Sequence, residues 1–172
     1  MPDTISYTLK TSANQILGSL AHCMRKAEAH SAVTEVEELN FLNDRLYPNM
    51  FELKRQVYIA TDMVRRGAHR LAGSEPQTVE DDEETFSALA ARCEAALADI
   101  LAHDDAALDA DPNGEVTMQI PSGELKMTKR NFLLTFMIPN MMFHATTAYA
   151  LLRKQGVPLG KLDFLAAGGA PN

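Results

Sequence analysis

From Phe132 to Leu152 the chain runs FLLTFMIPNMMFHATTAYALL, twenty-one residues without one charge. A helix that is apolar on every side has to be covered on every side, and that limits the folds open to the chain. The run has the roughly 20 residues a bilayer span needs. Pro139, Asn140, His144 and three threonines suit hydrocarbon poorly, however, and basic pairs flank both ends alike, Lys129 with Arg130 and Arg153 with Lys154. No orientation bias results. The expectation is a helix buried in protein, with no membrane partner.

Three further segments repeat apolar residues at three- and four-residue spacing. Leu9, Ala13, Ile16, Leu17, Leu20, Met24 and Ala27 predict a first helix over residues 4–30. A short helix over 35–42 and a turn at Tyr47-Pro48-Asn49 follow. Leu53, Val57, Ala60, Val64, Ala68 and Leu71 predict a second long helix from about Met50, ended by Gly73 with Pro76 beyond. The third carries Phe86, Leu89, Cys93, Ala96, Leu97 and Ile100. It is expected to open on the acidic run Glu80 to Glu84, a solvated cluster that suits the positive end of a helix dipole, and to fade in the Asp-rich stretch from His103 to Pro112.

The pattern then changes period. Val116, Met118 and Ile120 alternate with Thr117 and Gln119, Pro121-Ser122-Gly123 makes a turn, and Leu125 and Met127 alternate again, which predicts a β-hairpin. The fourth helix is expected over 128–155, stopped by Gly156-Val157-Pro158. The fold class expected is all-α, an up-down four-helix bundle with a short β-hairpin between helices 3 and 4, because each apolar stripe needs another to bury against. One domain over 1–166 and a flexible C-terminal tail over 167–172 complete the organisation.

Charge and cysteine usage narrow the function classes. With 172 residues and a net charge of −7, the chain has room for one core and no Lys/Arg cluster for phosphates, so no nucleic-acid partner is expected. Cys23 and Cys93 stand far apart without a CxxC, as buried thiols of a reducing cytoplasm do. The N-terminus MPDTISYTLK lacks a signal-peptide pattern, and a cytoplasmic location is expected.

Polar residues inside the fourth helix carry the functional expectation. At about 100° per residue, Leu133, Phe136, Met137, Asn140, His144, Thr147, Ala148 and Leu151 share a face, with Asn140 and His144 one turn apart. Pro139 has no N–H for the carbonyl of Thr135, so a kink and a free acceptor are expected beside Asn140. Gln56 on the second helix is a polar neighbour across the bundle. These groups form either a satisfied core network, with Asn140 capping the freed carbonyl, or the lining of a small-molecule pocket. Arg45 and Arg55 flank the Tyr47-Pro48 turn. Either guards the pocket mouth as an anion contact, or pairs with Asp44 and Glu52 as surface charges do. His22, His30, His69 and His103 lack ligand spacing and are expected in solvated or capping roles. The other side of the fourth helix, Ile138, Met142 and Tyr149, is apolar too. A homodimer is expected to cover it, the alternative cover being the hairpin or the C-terminal segment.

The stretch from His144 through Arg153 to Gly156-Val157-Pro158, with the Ser122-Gly123-Glu124 turn before it, resembles the DinB/YfiT-like superfamily of metal-binding helical bundles common in bacteria. The pieces KAEAH (26–30), LNDRLYPNMFELKRQV (42–57) and PLGKLDFL (158–165) resemble an uncharacterised bacterial domain-of-unknown-function subfamily within it. The resemblance implies a metal site made of one His from the second helix and two His, four residues apart, from the last. His144 matches the second of that pair, Asn140 stands at the first, and Gln56 stands at the second-helix position. His144 is then the one metal ligand of an incomplete site. Amide oxygens match zinc or nickel poorly, so no cofactor is expected, and a divalent Zn or Ni ion only as the lesser case. The leading expectation is a small-molecule-binding bundle around His144, Asn140 and Gln56, with Arg45 at its mouth, that has lost the three-histidine site. The alternatives are a metal-assisted, thiol-dependent transferase or isomerase, which the superfamily implies, and a non-catalytic structural or stress-associated interaction protein.

Overall fold

The structure is a computed structural model that describes residues 4–120 and 123–165. The expected tail over 167–172 and two turn residues, Pro121 and Ser122, lie outside the described residues. The chain is predominantly helical with one two-stranded antiparallel sheet.

Helix α1 (Ile5–Thr34) opens on Thr4, whose hydroxyl accepts the Tyr7 N–H, and closes four residues beyond the expected end, where Glu35 takes a left-handed conformation at φ 55°. The short α2 (Glu38–Leu42) leads to α3 (Leu53–Ala72), which begins three residues after the expected Met50 and ends on left-handed Gly73. Helix α4 (Phe86–Ala102) and the short α5 (Asp105–Asp109) precede strands β1 (Glu115–Ile120) and β2 (Gly123–Thr128). The strands pair from Glu115 with Thr128 to Ile120 with Gly123, a register that fits a two-residue connection.

The last long helix is built in three parts: α6 (Lys129–Asn131), a π-helical stretch (Phe132–Met137) and α7 (Ile138–Lys154). Short α8 (Lys161–Leu165) follows the Gly156 stop. Helix α1 packs along α4, α4 along α3, α3 along α7 and α7 back against α1. Leu9, Leu17, Leu20, Leu53, Val64, Phe86, Leu89, Phe132 and Leu151 fill the space between them. Among the described residues no helix is long and apolar enough to cross a membrane.

The disturbance expected at Pro139 takes the form of the π stretch, where the Ile138 N–H reaches the carbonyl of Leu133, five residues back. An extra residue in the turn advances the phase of everything after it. The buried face of α7 is accordingly Met141, Ala145, Ala148 and Leu152 with Thr147 and Leu151, and Asn140 and His144 sit at its edge, half-buried. Met137 is driven against α3 so closely that a Cβ on Gly67 would lie 2.0 Å from its Sδ. Of the opposite side, Tyr149 meets Phe164 of α8 edge-on at 5.7 Å, as the alternative of C-terminal cover foresaw, while Met142 is 44% exposed.

The acidic run is not the start of the third helix. Helix α4 starts at Phe86 because Thr85 caps it, accepting the Ala88 N–H at 3.1 Å, and because Glu38 of α2 accepts the Phe86 N–H. Residues 74–84 run irregularly across α3 and α4 and are pinned there by their carbonyls. Arg65 donates to Gln77, Arg92 to Glu80, and the Tyr58 hydroxyl to Glu83, all at 2.8 Å. Asp81 and Glu83 also pair with the buried Arg92 at 2.8 and 3.0 Å. A solvated, dipole-compensating run fails as a description because two of its carboxylates serve a guanidinium on the helix it precedes.

Candidate functional site

Gln56 lies in the first turn of α3, and His144 lies on the α7 edge that faces it. The Gln56 carboxamide is oriented by its own hydrogen bonds. Its Nε2 donates to the carbonyl of Phe51 at 3.0 Å, which turns Oε1 toward Nδ1 of His144, 2.7 Å away. An amide oxygen only accepts, so His144 Nδ1 carries the proton and Nε2 carries the lone pair. Burial lowers the His144 pKa below the ordinary imidazole range, which agrees with a neutral ring. One turn earlier, Asn140 Oδ1 is buried with no hydrogen-bond partner among the described residues. A cap on the carbonyl freed by Pro139 would come from the Asn140 amide nitrogen, which donates, and leaves Oδ1 to find a donor of its own.

The three residues therefore offer two acceptors, His144 Nε2 and Asn140 Oδ1, close to Phe143, which stands edge-on to the His144 ring at 5.1 Å. A transition metal is poorly served by this set. One imidazole nitrogen is taken by its proton, and the other would have two amides for company, which are hard, weak donors. Arg45 pairs with Glu52 at 3.0 Å and donates to the carbonyl of Met50, and Lys154 takes Asp44. Arg55 stacks over the Phe51 ring at 4.7 Å.

Two clefts lie elsewhere. One of about 740 Å³, between α3, α4 and the irregular segment, is lined by Arg65, His69, Glu83, Arg92 and Asp99 among others. Another of about 550 Å³ lies between α3 and β1, lined by Arg55, Arg66, Arg70 and Met118 among others. Neither is lined by Gln56, Asn140 or His144. Cys23 and Cys93 are fully buried, and burial pushes both thiols up to about 12, so neither supplies a thiolate near neutral pH.

The remaining histidines are more engaged than solvated or capping roles allow. His22 contacts Asp163 of α8 at 2.9 Å, and His30 stands edge-on to Phe41. His69 near the end of α3 and His103 at the end of α4 meet edge-on with ring centroids 4.5 Å apart, and Asp99 stands between the same two helices at 3.1 Å from His69 Nε2. Spacing along the chain hides this pair because its members lie on different helices.

The family model described as "Domain of unknown function (DUF1993)" matches residues 7–165. A solved structure described as a DinB family member protein from Shewanella denitrificans is similar at 32% identity and a TM-score of 0.82, over 94% of this chain and 91% of that one. Among curated proteins nothing matches.

Proposed function

The chain belongs to the DUF1993 family of DinB-like proteins, and on that premise we propose that it binds a small molecule through Gln56, Asn140 and His144. On this reading residues 1–166 are one domain, a four-helix bundle of the DinB type whose metal-site positions hold two amides and one imidazole. The expected up-down order does not hold, because Asp62 meets Arg92 and His69 meets Asp99, so α3 and α4 run in the same direction and residues 74–84 return the chain between them. The observation that carries the proposal is the buried, unpartnered Oδ1 of Asn140 beside a His144 whose tautomer Gln56 fixes. A buried acceptor without a donor costs about 1–3 kcal/mol, a cost that a hydrogen-bond-donating ligand removes. The two free acceptors favour a ligand with N–H or O–H groups, the Asn140 amide nitrogen adding a donor beside them, and Phe143, 58% exposed, offers ring surface for its apolar part.

Benzamide and N,N-dimethylbenzamide separate this reading from adventitious apolar binding, because they share a ring and a carbonyl and only the first has N–H donors. In thermal-shift titrations benzamide raises the melting temperature, the dimethyl compound does not, and the difference vanishes in Asn140→Leu and in His144→Phe. Equal shifts for both compounds, or a benzamide shift retained in both variants, would refute the proposal.

The exposure of Leu134 and Met142 on the last long helix supports a homodimer through that helix. A scattering mass of one chain at micromolar concentration overturns it.

A further inference from the structure

We propose that His69, Asp99 and His103 form a binding site for one divalent transition-metal ion, zinc being the first candidate, at the end of α3 and α4 away from Gln56. Each residue has a ligand atom within 4.8 Å of the others. The edges of a tetrahedral zinc site with bonds of about 2.0–2.1 Å are a little over 3 Å, so small rotamer changes close the set. Asp99 and His103 stand four residues apart at the end of α4, the spacing that brings two side chains to one side of a helix, and His69 approaches from α3.

Two observations point to a ligand at this cluster. His103 Nε2 is buried with no hydrogen-bond partner among the described residues. An imidazole nitrogen in that condition has given up water for nothing unless an ion or a donor meets it. The second is the support behind His69. Its Nδ1 lies 2.9 Å from Ser74 Oγ, which itself lies within donating distance of the His69 carbonyl, 3.4 Å. Nε2–H donates to Asp99 Oδ2 at 3.1 Å, and an ion taking the place of that proton would leave Nδ1–H to donate to Ser74 Oγ, so the ring would be held by an oxygen on its other nitrogen, the usual arrangement at protein-bound metals.

Two fixed cations stand nearby. The Arg65 guanidinium lies 3.5 Å from Asp99 Oδ2, and Lys10 donates to the His103 carbonyl at 2.7 Å. They lower the affinity and favour an ion held by imidazoles over one held by carboxylates, which selects zinc, cobalt or nickel over calcium or magnesium. Three protein ligands leave a coordination position open. His69 and Asp99 also line the 740 Å³ cleft, so a position on that side faces a cavity with the Arg65 guanidinium on its wall.

The test uses untagged full-length protein stripped with a chelator and titrated with Co²⁺ alone, then with Zn²⁺ in competition. Wild type is expected to take one equivalent of cobalt with visible d–d absorption of a nitrogen- and oxygen-ligated ion, and zinc to displace it. Asp99→Asn keeps the shape of the side chain, and with His103→Gln it weakens binding at least tenfold, while the helical circular dichroism is unchanged and His144→Phe binds as wild type does. No cobalt spectrum in wild type, equal binding by Asp99→Asn and His103→Gln, or loss of binding in His144→Phe alone each overturns the assignment.

Discussion

Replacing Arg92 by Met tests whether the irregular segment before α4 is held on the protein by one buried guanidinium. The Arg92 side chain is 4% exposed and donates to Thr61 Oγ1, the Glu80 carbonyl, Glu83, Asp81 and Asp62, while its guanidinium lies over the Tyr58 ring at 4.6 Å. Methionine fills much of the volume and removes all five partners. Abandoning a buried charge network costs about 3–5 kcal/mol, but Asp81 and Asp62 can turn to water from 46% and 28% exposure, and such exposed pairs are worth little. Glu83, 14% exposed, retains most of the penalty, so the expected loss is about 3 kcal/mol. For a chain of this length that is a fall of about 6–12 °C in melting temperature. Thermal unfolding followed by circular dichroism measures it, and hydrogen exchange should speed up at the amides of residues 77–83 with little change in α1. Adding Glu83→Gln to Arg92→Met should recover about 1 kcal/mol, since the second change removes a carboxylate left without its partner. A melting temperature within about 2 °C of wild type, less than one kcal/mol would give, refutes the reasoning.

Burial lowers the pKa of His144 and of His103, so both rings are neutral in the folded state at a pH where the unfolded chain, with imidazoles near 6.5, takes protons. Their effect on stability is therefore favourable in full above about pH 6.5 and is lost as pH falls through the lowered folded values. Urea midpoints should drop between about pH 6.5 and pH 5, and less steeply in His144→Phe; identical slopes in the two proteins would count against a buried neutral ring. Cys23 and Cys93, with no exposed surface and thiols pushed up to about 12, should react with an aromatic disulfide reagent only as fast as the protein opens, and prompt labelling of either in the folded protein contradicts their burial.

What could be read from the chain was what depends on neighbours in sequence. The stripe Leu53, Val57, Ala60, Val64, Ala68 and Leu71 is buried residue for residue, since a period of 3.6 and an adjacent apolar surface are all that it needs. The alternation at Val116 and Met118 became β1, and the Gly156-Val157-Pro158 stop ends α7. The start of α4 departs from the expected one because a cluster of acids has two physical uses that look alike in sequence. It can compensate a helix dipole from within the first turn, or it can neutralise a cation from elsewhere. Arg92, on the far side of the helix start, decides the matter, and no local pattern contains it.

The same distinction governs the histidines. Gln56 and His144 could be paired on paper because each sits on a readable helical face, and the structure brings them to 2.7 Å. The phase of α7, however, depends on a π stretch that no three- or four-residue spacing reports, which is why Asn140 and His144 lie at the edge of the buried face and Met141 and Ala145 at its centre. His69 and His103 could not be paired from spacing, because they belong to different helices and His103 caps α4 from outside its last turn. Helix ends are also where backbone groups lack intrahelical partners, so a polar cluster assembled there is kept by tertiary contacts alone. The two sites accordingly differ in what removing one member does. At the Gln56 site the loss of His144 frees an amide that still has Phe51 to bond. At the helix-end site the loss of His69 leaves Asp99 to Arg65 and deprives His103 of its only ring neighbour among the described residues. The helix-end cluster is thus the one whose arrangement a bound cation would most plainly explain.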